Sequence, residues 1–197
     1  MNQWQIHTNH PDDRAAMVDW ANAVVFDSSA VFLDTETTGV GPSAEIVDIA
    51  VLDAGGLPLL DTLVKPTRPI PADSSQIHGI YDHHVEDAPR WNEVFSALTD
   101  VIGQRRVVVY NVDYDQGVIA QCCSVIGMSL PLSRWDCAMK AYAAFVGEPS
   151  THSRGGYRWI KLGRAAAAFG IEPGGHRAAA DAEACRLVVH AMARVQQ

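Results

Sequence analysis

The chain of 197 residues is 48% hydrophobic and 19% charged, the makeup of an ordinary globular protein and not of a disordered, collagenous or coiled-coil one. At that length roughly 70% of the unfolded surface is buried on folding, so neither disulfides nor a structural metal is needed to hold it. Fifteen Lys plus Arg against 23 Asp plus Glu leave a net charge of −8, which excludes coating of long nucleic acid through many phosphate contacts. A small site gripping a short segment stays open, as does a cluster of acids around metal cations. Purely apolar runs such as residues 107–109 and 165–169 are far too short to span a bilayer, and MNQWQIHTNHPDD is not a secretory leader, so the expected location is cytoplasmic. Cys122, Cys123, Cys137 and Cys185 lack zinc-ligand spacing and read as buried free thiols.

In chain order, residues 12–25 place Ala16, Met17, Trp20, Ala21 and Val24 at helical spacing behind Pro11, which predicts a covering helix within residues 1–28. The apolar run 30–33 in SSAVFLDTETTG, breaking at Gly39, predicts a buried strand. EIVDIAVLD and PLLDTLVKP, separated by Gly55-Gly56, add two more, and the three together suggest an antiparallel meander. Residues 66–89 read as a loop. Trp91, Val94, Phe95, Leu98 and Ile102 then mark a helix, and residues 107–110 a compact strand. Helices are expected at 115–126, 136–146, 161–169 and 178–195, with the loop 147–157 the mobile segment. The pattern predicts one α/β domain over 1–197, with a core at about 30–195 in which helices flank a mixed sheet.

Three short stretches carry the chemistry. Asp34 and Glu36 in LDTETTG lie two apart on a strand and so share a face at its carboxyl end. Side by side they repel unless one is protonated or a divalent cation lies between them, although such pairs also occur in solvated turns. Asp115 in NVDYD follows a buried strand, where a first-turn helical carboxylate is also ordinary. His176 and Asp181 in GGHRAAAD sit where a Gly-rich loop enters the last helix, and a lone His in a loop is commonly just solvated.

DTETTG, NVDYD and HRAAAD, in that order over residues 31–189, resemble the three motifs of the DEDDh-type 3′-5′ exonucleases, and IHGIYDHHVEDAPRW resembles the His-Gly-Ile segment of that superfamily. Its members include the proofreading subunit of a bacterial replicative polymerase, RNase T and oligoribonuclease. The resemblance implies a ribonuclease H-like fold and two divalent cations, Mg²⁺ or Mn²⁺. Asp34 would bridge both, Glu36 and Asp181 would complete one site, Asp115 would support the other, and His176 would be the general base. The tyrosine subclass has Tyr where this chain has Arg177, so the histidine subclass fits. Two departures, Tyr110 in place of His and Val40 in place of Leu, supply no ligand and bear on substrate detail.

The resemblance also implies that the backbone of Thr37 and Thr38 cradles a terminal nucleotide and that His78 faces the same pocket. Tyr114 reads as a core aromatic or a base-stacking surface. In SRGGYRWIK, Arg154 and Arg158 beside Tyr157 and Trp159 are candidates for contacting a nucleic-acid backbone, or belong to a plain loop. Asp48, between Val47 and Ile49, reads as solvent-facing ahead of an acid behind the site, and His83-His84 lack a third ligand. The expected activity is metal-dependent release of nucleoside 5′-monophosphates from the 3′ end of single-stranded nucleic acid, DNA slightly ahead of RNA, with a homodimer or a DNA polymerase partner left open. A weakly catalytic polymerase-associated or scaffold module of the same fold is the alternative. A zinc hydrolase is disfavoured by the lack of HExxH or clustered Cys/His.

Overall fold

A computed structural model describes residues 11–130, 132–151 and 156–195. Helix α1 (Pro11–Val25) starts on a proline, whose fixed φ suits a first helical position. Strands β1 (Ala30–Thr37), β2 (Ile46–Asp53) and β3 (Pro58–Leu63) form the expected antiparallel meander. Helices α2 (Ala72–His78) and α3 (Trp91–Ile102) follow, then β4 (Arg106–Val109), α4 (Val112–Val125), β5 (Arg134–Cys137), α5 (Ala138–Val146), α6 (Leu162–Ala168) and α7 (Ala178–Ala193). The sheet order is β3-β2-β1-β4-β5, with β4 parallel to both β1 and β5. Among the described residues no helix is long and apolar enough to cross a membrane.

Alternation along β1 divides the core in two. Ala30 and Phe32 pack with α1, α5, α6 and α7 on one face, and Val31 and Leu33 with α3 and α4 on the other. Because both faces are covered, β1 and β2 read as near-continuous apolar runs. The α1 stripe of Met17, Val18, Trp20, Ala21 and Val24 is buried, and Arg14 ties its start to α5, donating to the Phe145 carbonyl at 2.9 Å with its guanidinium over the Phe145 ring. Cys122, Cys123 and Cys185 are buried, Cys137 is half-buried, and all four thiols are free.

The structure differs from the sequence pattern in three places. The helix expected from residue 136 begins at Ala138, because Arg134–Cys137 pairs in parallel with β4 as an edge strand. The helix expected from Asp115 begins at Val112, which puts Asp115 inside its first turn. The expected loop 66–89 contains α2 and a short 3₁₀ turn, Asp82–His84. In the segment 147–157, Pro149 and Tyr157 pair as an antiparallel bridge, and residues 152–155 lie outside the described residues.

β1 is flanked by an antiparallel neighbour on one side and a parallel one on the other. Its pairing with β4 ends at Phe32–Val108, while its pairing with β2 runs on to Thr37–Ile46. The carboxyl end of β1 therefore protrudes beyond β4. Crevices at the carboxyl ends of strands, where sheet direction changes, are where open α/β sheets hold ligands.

Candidate active site

Asp34 and Glu36 point from this protruding end toward α7, on the face shared with Phe32, as period-two alternation requires. Asp181, in the first turn of α7, and Asp115, in the first turn of α4, approach from two further segments. Asp115 is buried, and its Oδ1 accepts hydrogen bonds from the Thr35 main-chain N–H at 3.1 Å and the Thr35 hydroxyl at 2.7 Å. Thr35, absent from the residues singled out by sequence, thus fixes α4 to β1.

These acids are crowded and largely withdrawn from water. Burial, then repulsion from Asp181, Asp48 and Asp115, pushes the Glu36 carboxyl up to about 8. Asp34 is raised well above the carboxylate range by burial and by Asp115, Asp181, Glu36 and Asp48. Asp115 is raised to about 7 by burial against the opposing Thr35 hydrogen bonds, and burial raises Asp181 as well. His176 is exposed, with Nδ1 4.0 Å from Asp181 Oδ2. One ligand atom each from Glu36, His176 and Asp181 lies within 4.8 Å of the others, an arrangement able to hold a metal ion.

Gly174 makes room for this geometry: a Cβ there would lie 2.1 Å from Asp181 Oδ1 and 2.4 Å from Asp181 N. The Gly-rich run before His176 is therefore a close-approach element, which its composition alone did not reveal.

Asp48 corrects the sequence reading. It is 1% exposed and not solvent-facing, lies opposite Glu36 across the β1–β2 ladder, and accepts from Arg177 Nε at 2.9 Å. The sequence signal was present in IVDIAVL: a carboxylate inside a strand buried on both faces has no solvent to point to.

The remaining candidates fall at varied positions. His78 is buried, its Nδ1 accepting from Ile80 N at 3.0 Å while Nε2 has no hydrogen-bond partner among the described residues. The Thr37 and Tyr114 hydroxyls lie 2.5 Å apart and each donates to the Gly39 carbonyl at 2.8 Å, so Tyr114 braces the loop leaving β1. The Thr38 N–H donates to Glu45 O at 2.8 Å, which closes the same loop. Arg158 is exposed and pairs with Glu148 at 3.4 Å; Arg154 lies outside the described residues. His83 and His84 are exposed on the 3₁₀ turn and are not members of the metal-competent group found among the described residues.

Comparison with known proteins bears on the family and the fold. Residues 31–188 match the exonuclease family model RNase_T. An uncharacterized exonuclease, CP81, of Escherichia phage 186 is 40% identical over 176 residues, covering 85% of this chain and 90% of that protein. DNA polymerase III subunit epsilon of Buchnera aphidicola is 30% identical over 108 residues, covering 49% of this chain and 46% of that relative. The nuclease domain of 3′hExo, a DEDDh family member solved bound to rAMP, shares the fold with a TM-score of 0.68 at 17% identity, covering 84% of this chain and 92% of that one. With a match over residues 31–188 and a 40% identical exonuclease relative covered over nearly its whole length, the chain belongs to the RNase T-type exonuclease family.

Proposed function

We propose that this exonuclease hydrolyses the phosphodiester bond at the 3′ end of single-stranded nucleic acid, DNA ahead of RNA, and releases nucleoside 5′-monophosphates. The observation that carries the reading is the convergence of Glu36, His176 and Asp181 to within 4.8 Å from β1, a loop and α7. The donor set fits hard divalent cations. Its donors are carboxylate oxygens with the His176 imidazole beside them, and the carboxyls are raised by burial first and then by a repulsion that cations between them would relieve. Asp34, Glu36, Asp115 and Asp181 would hold two ions, Mg²⁺ or Mn²⁺. Such ions supply Lewis acidity toward the attacking water and the leaving oxygen.

The chain's own groups orient and move the proton. Exposed at the mouth of the cluster, with Nδ1 4.0 Å from Asp181 Oδ2, His176 can accept a proton from the attacking water at a ring nitrogen. Thr35 holds Asp115 against β1, so the acid from α4 keeps its place relative to Asp34. The Tyr114–Thr37–Gly39 contacts fix the loop over which a terminal nucleotide would lie, with His78 Nε2 left as an unpartnered group beside it. A polymerase is proposed as a partner on the strength of the epsilon-subunit relative, less than half of which this chain spans.

The test uses purified protein with 5′-labelled and 3′-labelled single-stranded DNA and RNA, in Mg²⁺, Mn²⁺ or chelator. The expected result is a shortening ladder from the 5′ label, immediate mononucleotide from the 3′ label, and no product with chelator. Activity that survives both chelation and Asp34→Ala would overturn the mechanism.

A further inference from the structure

Among the described residues, His176 is the one non-glycine position with a left-handed backbone, at φ 58°. That conformation is unfavourable for a residue with a Cβ and persists only where its surroundings impose it. On the N-terminal side stand Gly174 and Gly175, the first closely packed on Asp181 and the second also left-handed at φ 70°. Gly175, being glycine, cannot impose a conformation on its neighbour through side-chain contacts. The Gly174 and His176 main chains contact the Asp181 carboxylate, and a second constraint comes from the C-terminal side. Arg177 Nε donates to Asp48 Oδ2 at 2.9 Å, and the Ala178 main-chain N–H donates to the same oxygen at 3.3 Å.

Asp48 is a rigid anchor for these bonds. Its strand, β2, is hydrogen-bonded on both sides, by β1 and by β3, and its side chain is 1% exposed. It serves the first N–H of α7, a group with no partner inside the helix, where a carboxylate also complements the helix dipole. Yet an acid directly opposite Glu36 adds repulsion to an already crowded face, so structural capping alone is an odd use of it.

We propose that Asp48 and Arg177 are positioning residues: together they latch the two residues after His176 to the central sheet and so hold the imidazole at the mouth of the Glu36–Asp181 pair. The latch links β2 to the start of α7 across 129 residues of sequence. It acts on the rate of the chemical step and not on substrate binding. Its kinetic readout rests on the exonuclease reading above; its structural readout does not.

The test measures kcat and KM on a 5′-labelled single strand with Mg²⁺ for wild type, Arg177→Ala, Arg177→Lys, His176→Ala and the Arg177→Ala/His176→Ala double variant. Arg177, whose side chain is half exposed, carries the test because Asp48→Asn risks the fold. Misplacement of a reacting group by about 1 Å can cost 10²-fold, so Arg177→Ala should lower kcat roughly 10- to 100-fold with KM changed less than about 2-fold. Arg177→Lys should recover part of the loss. Groups that act as a unit are not additive, so in the His176→Ala background the same substitution should cost less than about 2-fold. Equal losses in both backgrounds, or a loss confined to KM, would overturn the latch while leaving the exonuclease intact. A wild type without metal-dependent 3′ activity would instead fail the functional reading. The latch is then judged by crystal structures of wild type and Arg177→Ala: departure of residue 176 from the left-handed region supports it, and an unchanged backbone overturns it.

Discussion

Two groups of buried charge sit on the same sheet and have opposite solutions. On β4 and β5, Arg106 and Asp136 are 5% and 4% exposed and face each other as an ion pair, with Arg134 adding a second cation 3.6 Å from the Asp136 carboxylate. At the end of β1, Asp34, Glu36, Asp115 and Asp181 gather with only Arg177 and His176 among the described residues to offset them, and burial, joined at Asp34 and Glu36 by repulsion from the neighbouring acids, pushes their carboxyls upward. Compensated charge is a structural element that breaks when one partner is lost. Uncompensated charge is a cost to the fold, tolerable where something doubly positive is meant to enter.

The sharpest way to break that comparison is to remove one acid from each group. Asp34→Ala should abolish exonuclease activity, by about 10³-fold or more, and leave the folded protein at least as stable without metal, since it removes a source of repulsion. Gly174→Ala should come next, at about 10²-fold in kcat, because its Cβ cannot coexist with the Asp181 position at 2.1 Å. Asp136→Ala, by contrast, should be felt in denaturation and not in the chemistry. Stranding Arg106 should cost about 3–5 kcal/mol by urea or thermal melting.

A pH series sharpens the same contrast. Glu36 at about 8 and Asp115 at about 7 lie above the range in which carboxylates titrate in an unfolded chain, about 4. Between those limits the folded state binds more protons than the unfolded one. Their contribution is therefore fully present in acid and is lost as pH rises through about 7 to 8. The melting temperature in chelator should fall across that window, and saturating Mn²⁺ should raise it most at the alkaline end, where the carboxylates are free to bind. A melting profile that is flat in pH and blind to Mn²⁺ would place the β1 acids with the compensated group. The smallest effect is expected at the surface pair: Arg158→Ala should change stability by less than about 0.5 kcal/mol. It should raise KM on single strands with kcat unchanged, and an unaltered KM would remove Arg158 from the substrate path.

How far these features could be read in the sequence depended on their range. Asp34 and Glu36 were legible because a two-residue spacing on a strand fixes their common face. The meander was legible from apolar runs broken at Gly55-Gly56, and α3 from its strong helical period. β5 was not, since RWDC is four residues with two charges and becomes a strand only by pairing with β4. For Asp48 the apolar run on both sides signalled burial, but its partner Arg177, 129 residues away, was beyond the reach of any local pattern. Tyr114 was left between core and stacking, and the bond from its hydroxyl to the Gly39 carbonyl, 75 residues away in the chain, is one that no local pattern announces.

By itself, then, the sequence determined the class of fold from local periodicity, and it nominated the four acids and the histidine through the resemblance of its short motifs. Tertiary structure alone decided how those groups are held: Thr35 against Asp115, Gly174 beneath Asp181, and Asp48 behind Arg177. Those contacts join segments far apart in the chain, and their geometry exists only after the sheet and α7 have packed, when a buried carboxylate must find whichever donor the fold brings to it.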